Sequence, residues 1–271
     1  MFKERLISGI VMVIILIATV GYGGNVLFAV VGIVSLIGMS ELYKVFKVEN
    51  KALGVTGYLA AIAYYAMLLL EKTEWMIPLT LLFLILVMAV YVFTYPIFTA
   101  EQVMAVFFGF FYVSVMLSYV YQTRMLAEGA VLVWLIFLSS WGCDTCAYCV
   151  GVLFGKHKMA PKLSPKKSIE GGVGGVLGAA LLGALFALAV NQWAGVTVNP
   201  LQYALICGVG GMISQIGDLA ASGIKRNHGI KDYGKLIPGH GGILDRFDSV
   251  IITAPIIYYL SMILGGTLGN R

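Results

Sequence analysis

The chain has 271 residues, of which 60% are hydrophobic and 11% charged, with a net charge of +5. A soluble domain carries roughly 25% charged residues, so this chain cannot cover a water-facing surface, and its high hydrophobicity and low charge exclude a disordered protein. A soluble nucleic-acid binder is excluded on the same ground: with charges this sparse, a pI near 8.9 points to basic loops beside a membrane.

Nine apolar segments are expected to cross the bilayer as helices, since each approaches the 20 or so residues a crossing needs. They cover residues 6–23, 25–43, 53–70, 76–95, 102–122, 130–153, 171–190, 201–222 and 245–265. The fold class is therefore an all-α polytopic membrane protein. The first segment follows Lys3 and Arg5 but precedes no small-x-small cleavage site, so it is expected to be retained and not removed as a signal peptide. With the N-terminus placed in the cytoplasm, only Lys72, Arg124 and Arg271 of the 18 Lys and Arg fall outside. That asymmetry is what the positive-inside rule requires. It places the active face at the cytoplasmic side of the cell inner (plasma) membrane.

Residues 1–129 hold no His and few charges and are read as scaffold; residues 130–271 are read as the catalytic half, with two basic cytoplasmic loops. No internal repeat is visible. Cys143, Cys146 and Cys149 stand at i, i+3, i+6 in the sixth segment. Without a nearby His or second Cys pair they are expected to be packing residues, not a metal site. Glycines at four-residue spacing, such as Gly171 and Gly175, suit close helix approach in lipid and permit a homodimer.

Charged groups inside membrane spans are costly and usually functional. Asp144 lies within the sixth segment, Asp218 near the inner end of the eighth, and Asp245 and Asp248 open the ninth. Clustered carboxylates at one depth beside basic loops suggest a divalent cation, because hard oxygen ligands suit Mg²⁺. The blander alternative for Asp245 and Asp248 is stabilisation of a helix N-terminus. Between Ser222 and Asp248 the chain is rich in glycine and alternating charge. Gly241 and Gly242 beside His240 let the backbone approach a ligand, and their amides are expected to cradle phosphate. Lys225, Arg226, Lys231 and Arg246 are the matching cations. In the other loop, Ser164, Lys166 and Lys167 are expected to meet lipid headgroups or substrate phosphate, with Ser168 and Glu170 starting the seventh helix.

These residues together resemble the phosphatidate cytidylyltransferase (CDP-diacylglycerol synthase) family. The carrying pattern is Ser222-x-x-Lys225-Arg226-x4-Lys231-Asp232-x-Gly234-x2-Ile237-Pro238-x-His240-Gly241-Gly242-x2-Asp245-Arg246-x-Asp248. It extends upstream to Gly217-Asp218, to Asp144 and to the run from Ser164 to Gly171, with Ser168 where the family more often has Thr. The resemblance implies a nucleotidyltransferase joining CTP to phosphatidate to give CDP-diacylglycerol and pyrophosphate, with no nucleic-acid partner. It implies Asp218, Asp245 and Asp248 as ligands of Mg²⁺, with room for a second cation, and Asp144 as a further ligand or lysine-orienting group. It also implies Lys225, Arg226, Lys231 and Arg246 on the CTP phosphates and Ser222, Gly241 and Gly242 lining the site. His240 is implied as a hydrogen-bond donor. A related enzyme acting on an ether lipid or polyprenol, an ion-coupled transporter and a purely structural membrane protein are the competing readings.

Overall fold

The computed structural model describes the backbone of residues 2–268 and side chains over residues 6–264. Among the described residues, nine helices run in chain order: α1 Phe2–Tyr22, α2 Gly24–Val45, α3 Ala52–Leu69, α4 Met76–Phe93, α5 Ala100–Arg124, α6 Gly129–Phe154, α7 Ile169–Trp193, α8 Pro200–Asn227 and α9 Leu244–Leu268. From α2 onward all eight are long and apolar enough to cross a membrane; the apolar part of α1 described with side chains is Leu6–Tyr22. The fold class is the expected one.

Helix starts follow local chemistry. Thr99 and Gln102 form a reciprocal capping box at α5, and Asn199 caps α8 ahead of Pro200. Ser168 caps α7 by accepting the Gly171 amide at 3.1 Å, as its spacing from Glu170 suggested. Two helices contain a wide π turn, Phe110–Val115 in α5 and Leu138–Gly142 in α6, and the second lies immediately before Cys143 and Asp144. Such turns interrupt the regular ladder and often occur near functional residues.

The loop between α6 and α7 is a short antiparallel hairpin and not the plain loop its sequence suggested: β1, Lys158–Ala160, pairs with β2, Ser164–Ser168. Glu170 holds its base, accepting the Lys156 amide at 3.1 Å and meeting His157 Nδ1 at 2.6 Å. These side chain–backbone bonds are what a periodicity argument cannot see.

The chain divides into two compact units. One holds the residues up to Ile15, Asn25–Ser118 and Asp232–Arg246; the other holds Leu16–Gly24, Tyr119–Lys231 and the residues from Phe247 onward. In the first, Tyr43 of α2 is fully buried against Gly57 of α3 and Gly109 of α5, and its hydroxyl donates to the Val106 carbonyl at 2.8 Å. In the second, α7 packs between α6 and α8. Its buried face is Gly171, Gly175, Ala179, Gly183 and Ala187, while Leu177 (65% exposed) and Leu181 (60%) face outward. Small residues inside and leucines outside invert a soluble helix and suit a helix solvated by lipid. Cys143 and Cys146 fill this small-residue face, opposite Gly175 and Gly178, which is the packing role expected for them, whereas Cys149, expected to pack with them, is exposed.

A side chain at Gly183 has no room: a Cβ there would stand 2.6 Å from the Tyr203 carbonyl oxygen and 2.8 Å from Cys207 Sγ. Gly183→Leu is expected to destabilise the helix pair by about 2 kcal/mol, the scale of core overpacking. Thermal unfolding in detergent checks this; an unchanged melting temperature would contradict the packing described.

Candidate active site

In the second unit, a cavity of about 560 Å³ is lined by three helices and the hairpin, and gathers polar side chains from two of those helices and the hairpin. Asp144 comes from α6, Ser164, Lys166 and Lys167 from β2, and Gln215 and Asp218 from α8, while Tyr148 and Val152 form an apolar wall. That wall is turned outward, with Tyr148 73% and Val152 67% exposed. The cavity thus joins a charged interior to a surface suited to lipid.

Its charges are paired across sequence distance. The Lys167 ammonium sits directly on the Asp218 carboxylate, each side chain about a quarter exposed (26% and 24%). Asp248, from α9, is buried and lies within electrostatic reach of Asp218, Asp144 and Lys225. The Ser249 amide donates to Asp248 Oδ1 at 2.7 Å. Gly217 lets α8 approach this turn, since a Cβ there would stand 3.1 Å from the Asp248 carbonyl oxygen. Lys225 and Ser222 are buried on the same α8 face, whereas Arg226 and Lys231 are exposed. Arg226 Nη1 donates to the Ile230 carbonyl at 3.1 Å, steadying the turn that ends α8.

Gln215 was not anticipated. It is buried, lines the cavity, and donates to the Gly172 carbonyl at 2.9 Å, tying α8 to α7. An amide side chain in the middle of an apolar span, one turn before Asp218, was the available signal.

The glycine-rich turn belongs to the first unit. Here Asp245 is buried and organises the chain: its Oδ2 accepts the Tyr233 amide at 2.8 Å and the Gly242 amide at 3.0 Å. The next two amides, of Ile243 and Leu244, donate at 3.0 and 2.8 Å to the carboxylate of Glu41 on α2. Phosphate is the sequence-based expectation at the Gly241 and Gly242 amides; the structure fills the Gly242 amide and the two after it with the protein's own carboxylates. Gly241 takes φ +89° and its carbonyl accepts the Ile237 amide at 2.8 Å, closing the turn. His240 Nδ1 lies 2.8 Å from the Ser8 hydroxyl of α1, which also donates to the Pro238 carbonyl at 3.0 Å. Arg246 follows, half-buried. Glu41 was passed over because its surroundings read as scaffold, although a carboxylate in an apolar span was itself a signal.

Among the described residues, no group of three His, Cys, Asp or Glu side chains is set to hold a metal ion. Of the expected ligands Asp218, Asp245 and Asp248, Asp245 has its Oδ2 taken by two amides. Asp218 and Asp248 do lie within electrostatic reach of each other. Two carboxylates fit Mg²⁺, which usually takes one or two from the protein and completes its shell with water and substrate phosphate.

Residues 3–264 match the model of the cytidylyltransferase family. The chain is 34% identical over 264 residues to the phosphatidate cytidylyltransferase of Staphylococcus epidermidis, covering 95% of this chain and 98% of that protein. It is 30% identical over 268 residues to the phosphatidate cytidylyltransferase of Staphylococcus aureus, with the same coverage, and 31% identical over 264 residues to that of Staphylococcus saprophyticus.

Proposed function

Because this multi-pass membrane chain belongs to the cytidylyltransferase family, we propose that it condenses CTP with phosphatidate, yielding CDP-diacylglycerol and pyrophosphate at the cytoplasmic face of the plasma membrane. The observation that carries the acceptor is the cavity in which Asp144, Asp218, Lys166 and Lys167 adjoin an outward-facing apolar wall. An amphiphile with an anionic head fits such a place: its tails stay in lipid while its phosphate meets lysine.

The chemistry follows from charge. A phosphatidate oxygen forms a new bond to the α-phosphorus of CTP, the bond from that phosphorus to the β-bridging oxygen breaks, and its electron pair leaves with pyrophosphate. The attacking oxygen is already anionic, so no general base is required. The barrier is repulsion between two anions and charge growth on the leaving group, which positioning and fixed cations reduce. Lys167, held by Asp218, and Lys166 with Ser164 bind and orient the lipid phosphate. Lys225 is oriented by Asp248 to neutralise nucleotide phosphate, with Arg226 and Lys231 at the exposed approach. Asp144 keeps the lysines aligned. Asp218 and Asp248 would hold Mg²⁺, alone or with a second cation, which would supply charge neutralisation to the triphosphate. Ser222 and Gln215 pack the α8 face that presents these groups. Asp245, with Gly241, Gly242, His240 and Arg246, shapes the turn leading into α9.

Purified protein incubated with labelled CTP, phosphatidate and Mg²⁺ is expected to give a labelled lipid, and EDTA is expected to abolish it. Labelling of an ether-lipid or polyprenyl phosphate in preference to phosphatidate would move the assignment to a related acceptor. No labelled lipid from any acceptor would refute the proposal.

A further inference from the structure

We propose that Glu41 is a positioning residue for this reaction, acting as an internal anion that grips the first turn of α9 and thereby holds the glycine-rich turn from Gly234 to Asp245 in its shape. The inference rests on the cytidylyltransferase reading. Glu41 is only 8% exposed although it lies in an apolar span, a costly placement for a carboxylate unless it is fully used. Each of its oxygens accepts one amide, Oε1 from Ile243 and Oε2 from Leu244. Unpaired amides at a helix N-terminus attract an anion, and a bidentate carboxylate satisfies two of them with the favourable sign of the helix dipole.

The surroundings are built to the size of this carboxylate. A Cβ at Gly234 or at Gly242 would collide with it, and one at Gly234 would also stand 3.2 Å from Gly242 Cα. Two glycines of the signature are therefore explained by Glu41, a residue far outside that signature. Fixing these two amides fixes the start of α9, and with it the turn that carries Gly234, Gly242 and Asp245.

The test uses the full chain in lipid nanodiscs. Glu41→Ala is expected to raise hydrogen exchange in the peptide spanning 240–246 and to lower kcat at least about tenfold, with KM for CTP changed less than about threefold, as expected when a reacting group is misplaced. Glu41→Gln keeps one acceptor oxygen and is expected to fall between. Gly234→Ala is expected to lower kcat in the wild-type background but much less beside Glu41→Ala, because the colliding oxygens are gone. If Glu41→Ala does not fold, the exchange pattern and kcat of Glu41→Gln decide. Unchanged exchange and kcat in the Glu41 variants, or a Gly234→Ala effect indifferent to residue 41, overturns the proposal. Altered exchange in a wild-type-folded protein that makes no CDP-lipid would instead leave the grip intact and sink the proposed reaction.

Discussion

Asp218→Asn is expected to reduce CDP-diacylglycerol formation at least about a thousandfold while the protein still inserts and folds. The substitution keeps volume and hydrogen-bonding shape but removes the charge that holds Lys167. It leaves that ammonium beside a neutral amide in a part-buried position, and removes one of the two carboxylates proposed to share Mg²⁺. Both substrates are anions, so loss of the ion and misdirection of the lysine act on the same repulsive barrier. The check is turnover of CTP and phosphatidate beside a melting curve and gel filtration. Near-normal turnover in well-folded Asp218→Asn protein would refute the site.

Asp248→Asn is the companion case. Its remaining oxygen can still accept the Ser249 amide, so the start of α9 is expected to persist. What goes is the negative charge facing Lys225 and Asp218. Turnover is expected to fall about a hundredfold or more, with the Mg²⁺ concentration for half-maximal rate displaced upward, since one ligand of the ion is weakened. A rate loss with an unchanged Mg²⁺ profile would assign Asp248 to orienting Lys225 and remove it from the cation.

The helices were legible because a bilayer demands one thing of sequence: enough consecutive apolar residues to span it with every backbone group bonded internally. The eighth helix ran further than its apolar pattern, to Asn227, because Lys225 and Arg226 favour a helix C-terminus. Their charges had marked them as loop. The hairpin at residues 158–168 was hidden for a different reason, as its base depends on Glu170 meeting His157 and two amides. In the site, Asp144, Asp218 and Asp248 stood out as charges where lipid makes charge expensive, and Lys167 as part of a basic loop. Their partners did not. Nothing in the order of residues couples Lys167 to Asp218, or reserves the Ile243 and Leu244 amides for Glu41 and not for phosphate.

From the amino-acid order alone came the membrane class, the nine helices and the list of costly polar residues, because burial in lipid is paid residue by residue along the chain. Which polar group satisfies which was decided only in three dimensions. A carboxylate takes whichever donor the packing presents to it, and packing is a relation between segments that the order of residues leaves open.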